Sequence, residues 1–190
     1  MRFKSILLHT IVLYMTLVNV SFAQKHGKYY ATLTEVDPMS FGGSFIYSEF
    51  KDQSISITWE LRDKEIYFDL INKSDGTIKI IWDEAAYIDP SGQTEKVFHN
   101  GVKYIDRNGP QPATSIIKGA KLRDLVTPSD YAYYLSGAYG GWMQKSIFPY
   151  KKKTGAIYDG KQFKILLPLQ IGDARRDYIF TFKTKWEPNN

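Results

Sequence analysis

The chain has 190 residues, with 25 Lys and Arg against 20 Asp and Glu, three His and no Cys. At 43% hydrophobic and 24% charged it has the composition of a folded domain, which excludes a disordered, collagenous or coiled-coil chain as a whole. Without Cys there is no disulfide framework, thiolate nucleophile, Cys-ligated zinc, iron–sulfur cluster or lipid-modified N-terminal Cys.

Residues 1–23 read as a secretory signal-peptide helix. Arg2 and Lys4 supply the positive region, Ile6 to Val20 the apolar region, and Ser21-Phe22-Ala23 the small residues of a cleavage site. A membrane span needs about 18–20 apolar residues, whereas this run is shorter and is interrupted by His9 and Thr10. Cleavage is therefore expected, with no membrane anchor left behind and the product in the periplasm or outside the cell. Loss of Arg2 and Lys4 lowers the formal net charge of +5 by two. Of the remaining cations only Lys151-Lys152-Lys153 form a run, so no nucleic-acid footprint is expected.

Residues 24–28 are expected to form a flexible N-terminus, 29–186 a single β domain, and 187–190 a flexible end. From Tyr29 onward short alternating runs are separated by turn signals, with no 3.6-residue period. Ser54 to Trp59 alternates most clearly, placing Ile55, Ile57 and Trp59 on one face and Ser54, Ser56 and Thr58 towards solvent. Arg62-Asp63-Lys64 is a hairpin loop leading into Glu65–Ile71, whose Ile66, Phe68 and Leu70 share a face. Asn72-Lys73-Ser74-Asp75-Gly76 is a turn before a strand over Thr77–Trp82. Asp89-Pro90-Ser91-Gly92 joins the arms Ala86–Asp89 and Thr94–His99. Asn100 to Lys121 reads as a long loop, because Pro110 and Pro112 cannot donate to a ladder, with Ser115–Lys118 a candidate strand and Gly119-Ala120 a turn near its end. Leu122–Thr127 is a strand or an edge segment; Tyr131–Ser136 alternates, and the pattern breaks over Gly137–Trp142. Lys161–Leu169 and Asp177–Trp186 form a terminal antiparallel pair across Gly172-Asp173, with Tyr178, Phe180 and Phe182 on one aromatic face.

This order of strands and turns resembles immunoglobulin-like β-sandwich domains of exported bacterial envelope proteins. The segment Trp82–Gln111, including His99-Asn100-Gly101-Val102-Lys103-Tyr104 and Asp106-Arg107-Asn108, also resembles an uncharacterised group of bacterial exported proteins and lipoproteins. The resemblance implies an all-β, single antiparallel immunoglobulin-like sandwich and carries no established activity or site. Lipoprotein members have a Cys after the signal, where this chain has Gln24 and Lys25.

Candidate chemistry is sparse. His99 with Asp106 or Asp89 could form a base and orienter, but a strand-end histidine is more often structural, and there is no Gly-x-Ser-x-Gly elbow. Asp83-Glu84, Asp63/Glu65 and Asp124/Asp130 are the candidate carboxylate pairs for glycoside hydrolysis, against their ordinary role as surface charge. Asp106, Asn108 and Asp89 are loop oxygens, but no metal motif surrounds them, and neither a metal nor a cofactor is expected.

Tyr131 to Trp142 is the most informative segment. Tyr and Trp offer large contact area with few rotors and a polar tip, and Gly permits close approach, as in recognition surfaces. Tyr139, Trp142 and Tyr134 are the candidate binding residues; the alternative is that Tyr131, Tyr133 or Tyr134 fill the core while Tyr139 and Trp142 cover an edge. The Met39–Phe45 loop, with Gly42-Gly43, is either a second contact rim or a bulged edge. The sequence thus points to an exported, non-catalytic module that binds a protein or glycan of the cell envelope, with a hydrolase using loop carboxylates as the alternative.

Overall fold

The computed structural model describes residues 27–38, 44–149 and 151–189, and the alternating apolar pattern over these residues builds an all-β protein. The expected signal segment 1–23, residues 24–26 and residues 39–43 of the Met39–Phe45 loop lie outside the described residues. The strands are β1 (Gly27–Asp37), β2 (Ser44–Ile46), β3 (Glu49–Lys51), β4 (Ile55–Leu61), β5 (Ile66–Asn72), β6 (Ile78–Ile80) and β7 (Ala86–Ile88). There follow β8 (Thr94–Phe98), β9 (Thr114–Ile116), β10 (Lys121–Pro128), β11 (Ala132–Leu135), β12 (Gly141–Gln144), β13 (Gln162–Ile171) and β14 (Ala174–Pro188).

Twelve of these strands make one antiparallel sheet in the order β1-β14-β13-β7-β8-β10-β5-β4-β3-β2, with β6 bridging β13 and β9. The path coils almost into a barrel. At its ends the Leu33 N–H of β1 donates to the Tyr47 carbonyl of the β2–β3 turn at 2.6 Å. A second, two-stranded sheet of β11 and β12 stands apart from this wall.

The alternating residues converge on an aromatic core. Trp59 of β4 lies 5.0 Å from Phe180 and 5.1 Å from Phe68, and Phe163 stacks on Phe182 at 5.0 Å. Phe50, Ile57, Leu70, Ile165 and Leu167 close the interior around them. The face of Ile55, Ile57 and Trp59 is thus buried as the alternation requires, but the opposite face differs from expectation: Ser54 and Ser56 are buried as well. β4 is a central strand between β3 and β5, and Arg176 donates to the Ser54 hydroxyl at 2.9 Å.

The ends of the domain reach further than the sequence suggests. β1 begins at Gly27, paired with Pro188 of β14, so two residues expected to be loose on each side belong to the ladder. Trp186 explains this, since it packs on Tyr29 at 4.9 Å, and a Cβ at Gly27 or Gly155 would overlap its ring. The expected strand over Thr77–Trp82 is shorter, because Trp82–Glu84 turn into a 3-10 helix that sends the Trp82 side chain inward. β10 is an interior strand, paired with β5 on one side and β8 on the other.

Candidate functional site

The aromatic segment singled out by the sequence becomes a hairpin. Ala132 is buried and anchors the start of β11, and Lys145 N–H donates to the Tyr131 carbonyl at 2.9 Å where β12 leaves. Between these anchors the register pairs Tyr133 with Met143, Tyr134 with Trp142 and Leu135 with Gly141. Trp142 therefore lies on a strand, a correction to the reading of Gly137–Trp142 as an unpatterned break. Gly137 at φ 122° and Gly141 at φ 150° adopt backbone conformations that L side chains rarely take, so a strand can resume beyond the tip.

Directly opposite residues on one face of a ribbon touch, and the Trp142 and Tyr134 rings meet edge-on at 5.6 Å. Tyr104 approaches Trp142 from the body at 6.0 Å, and the Arg107 guanidinium sits 5.0 Å from the centre of its ring. Arg107 is itself fixed by donating to the Ser129 and Tyr104 carbonyls, both at 2.9 Å. Gln144 completes the support by accepting from the Tyr104 hydroxyl at 2.8 Å and donating to the Lys64 carbonyl at 2.6 Å. Trp142 is thus held from beneath while 36% of it remains exposed. Tyr134 is 62% exposed and Tyr139, at the tip, is completely open. Leu135 and Met143 add exposed apolar surface.

The structure therefore brings Tyr134 and Trp142 together and places Tyr139 at the end of the same ribbon. The core-filling alternative holds for Tyr131, which meets the buried Tyr87 at 6.4 Å, but not for Tyr134. Sequence reasoning missed Tyr104, Arg107 and Gln144 as supports. Tyr104 and Arg107 lie in the irregular Asn100–Lys121 stretch, and no local pattern connects that loop to a strand some forty residues later.

The candidate catalytic residues are placed differently. His99 pairs with neither Asp106 nor Asp89: its Nδ1 faces Asp124 Oδ2 at 3.2 Å, and its ring lies flat on Trp82 at 4.1 Å. Asp124 is buried and also accepts from the Asn100 and Leu125 backbone N–H groups. Among the described residues no hydroxyl is hydrogen-bonded to His99, so the pair has an orienter and a base but no adjoining nucleophile. Asp83 accepts from the Gln111 N–H, Glu84 pairs with Arg175 at 2.6 Å, and Glu65 accepts from the Tyr67 hydroxyl. Asp89 closes its own turn by accepting from Ser91 and Gln93. Among the described residues no group of three or more His, Asp or Glu could hold a metal ion.

One partly buried acid stands out near the base of the hairpin. Glu95 of β8 lies opposite Tyr87 of β7, and among the described residues neither Glu95 Oε2 nor the Tyr87 hydroxyl has a hydrogen-bond partner. Burial raises the Glu95 carboxyl above its ordinary value of 4.5, reinforced by Asp130 and Asp89 and opposed by Lys145. Burial likewise pushes Tyr131 up to about 12. Because the folded chain holds the Glu95 proton more tightly than the unfolded chain, this group makes stability fall as pH rises from 4.5 through its raised value. Glu95→Gln removes the cost of burying the charge. The variant is expected to melt above the wild type at pH 8, with the difference shrinking by pH 4. Thermal melts at the two pH values check this, and a difference independent of pH would refute it.

Comparison with family models, with curated proteins and with solved structures gives no match.

Proposed function

We propose that this protein is an exported, non-catalytic binding module that engages a protein or glycan component of the cell envelope through the β11–β12 hairpin. The observation that carries this reading is the ribbon itself. Trp142 is pre-positioned by Arg107, Tyr104 and Gln144, while Tyr134 and Tyr139 are left open beside it. Large, rigid aromatics whose ordering cost is already met are what recognition surfaces use. The exported location rests on the signal-like residues 1–23, and the envelope setting on the resemblance to bacterial exported proteins. The immunoglobulin-like sandwich remains a reading of turn order and antiparallel pairing, whereas the continuous strand path supports a coiled, barrel-like wall.

The test is a pull-down from envelope and culture fractions with the chain from Gln24 onward, beside Trp142→Ala and Tyr139→Ala. A stoichiometric partner, or a glycan on an array, is expected to bind wild type and to lose at least tenfold in affinity with either variant. Tyr139 makes no packing contact that folding depends on, so Tyr139→Ala is expected to melt within about 0.5 kcal/mol of wild type. Equal binding by wild type and both variants would remove the hairpin as the surface. Turnover of a glycan that vanishes in Glu84→Gln would favour a hydrolase instead.

A further inference from the structure

The β11–β12 hairpin differs from the rest of the surface in sequence and in geometry. Between Asp130 and Asp159 the chain carries four Lys and no Asp or Glu, and Tyr131, Tyr133, Tyr134, Tyr139 and Trp142 fall in the same stretch. β11 and β12 pair only with each other, and the tip, residues 136–140, is exposed throughout. Alternation puts Tyr134 and Trp142 on one face of the ribbon and Leu135 and Met143 on the other. All four are exposed. The ribbon is therefore apolar on both faces and at its end, where Tyr139 stands free.

At the foot of the ribbon the surface turns basic. Gln144 donates to the Lys64 carbonyl, and Tyr104, next to Lys103, packs on Trp142. Lys145 and Lys151 line one hollow beside Tyr131. Among the described residues Lys64, Lys103 and Lys151 form no ion pair. Asp63, Asp106 and Asp130 are the exposed acids of the same stretches, fewer than Lys64, Lys103, Lys145 and the Lys151-Lys152-Lys153 run. An aromatic tip above a basic collar matches a bilayer interface, where Trp and Tyr settle at headgroup level and anionic lipid attracts Lys.

We propose that the hairpin enters, tip first, the headgroup region of an anionic lipid bilayer and seats the domain on that surface. A protein surface or a sugar ring covers one face of a ribbon and leaves the other in water, whereas a lipid interface surrounds the tip and both faces at once. The length agrees, since Ala132 to Leu135 spans about 10 Å at roughly 3.3 Å per residue, near the depth of about 5–10 Å that interfacial elements reach. The backbone sets the limit. A two-stranded ribbon leaves the outward N–H and C=O groups of both strands without ladder partners, and these need water or headgroup oxygens rather than hydrocarbon. This seat rests on the hairpin being the contact surface, as proposed above, with lipid as the component it meets.

The test is sedimentation with lipid vesicles of the chain from Gln24 onward, so that the apolar residues 6–20 take no part. Vesicles of phosphatidylglycerol and phosphatidylcholine in equal parts are expected to bind it at least tenfold more tightly than phosphatidylcholine alone. Leu135→Ser combined with Tyr139→Ser, both at exposed positions, is expected to melt with the wild type and to lose at least tenfold in vesicle affinity. Should that variant not fold, fluorescence of the wild type decides. Trp59 and Trp82 are buried and Trp142 is exposed, so brominated acyl chains are expected to quench the emission, and Trp142→Phe to remove that quenching. Absence of binding to the anionic vesicles would overturn the proposal. Binding without quenching would overturn it too, by showing adsorption through the lysines alone. A soluble protein or glycan recovered by pull-down while the vesicles stay unbound would overturn the lipid seat and leave the reading of the hairpin above intact; vesicle binding with nothing recovered would support the seat and remove that reading's protein or glycan.

Discussion

Trp82→Ala is expected to destabilise the protein by about 4 kcal/mol. Trp82 has no exposed surface, and three different contacts hold it. Its Nε1–H donates to the Thr114 hydroxyl at 2.8 Å, its ring carries His99 at 4.1 Å, and it lies 6.3 Å from Phe68. Truncation to Ala leaves a cavity at the junction of β5, β8 and β9 and strips the apolar plane from His99. A loss of that size moves the urea midpoint by about 2 M at a slope near 2 kcal/mol/M. Trp82→Phe separates the contributions: it keeps an aromatic ring in the core and removes the bond to Thr114, and is expected to cost about 1–2 kcal/mol. A midpoint for Trp82→Ala within a few tenths molar of the wild type would show that Trp82 does not hold this junction.

Asn72→Ala is expected to cost about 3 kcal/mol or more, although only a short polar side chain is removed. Asn72 is completely buried at the end of β5. Its Nδ2 donates to the Gly76 carbonyl at 2.7 Å and to the Ile116 carbonyl at 2.8 Å. Its Oδ1 accepts from the Ser74 N–H at 2.9 Å and the Ser74 hydroxyl at 2.7 Å. One amide therefore closes the 72–76 turn and also ties it to β9. Each buried backbone group left without its partner costs about 1–3 kcal/mol, and the Ile116 carbonyl is the clearest case. Asn72→Asp keeps the acceptor and loses both donations, so it is expected to be at least as damaging. Chemical denaturation of the two variants beside Ser74→Ala checks this: Ser74→Ala loses only the hydroxyl bonds and is expected to fall by about 1 kcal/mol.

Much of the wall was legible along the chain. The alternation of Ile66, Phe68 and Leu70, the Arg62–Lys64 loop and the Asp89–Gly92 turn all appear as paired strands and their connections. Tyr178, Phe180 and Phe182 do form one buried face of β14. These elements were readable because a period of two and a turn residue are local properties. Tyr134, Tyr139 and Trp142 were readable as an aromatic, glycine-spaced segment for the same reason, since residue type and glycine spacing are local.

What could not be read depended on partners distant along the chain. His99 found Asp124, 25 residues on, rather than the nearer Asp106. Arg107 and Tyr104 came to support Trp142 only because the irregular loop after β8 folds back against the hairpin. Burial of Ser54 and Ser56 required β4 to be interior, and strand order is set by loop closure and core packing rather than by the strand's own pattern.

The sequence by itself determined the all-β class, most strand positions and the aromatic character of residues 131–142, because alternation and turn chemistry act over a few residues. Only the tertiary structure decided that the strands run as one nearly closed path. It also decided that Trp142 is braced from beneath while Tyr139 stands free, and that β1 and β4 face each other across an unpaired gap. Those features arise where segments far apart in the chain compete to bury the same aromatic surface and to pair the same backbone edges, and no local pattern records the outcome.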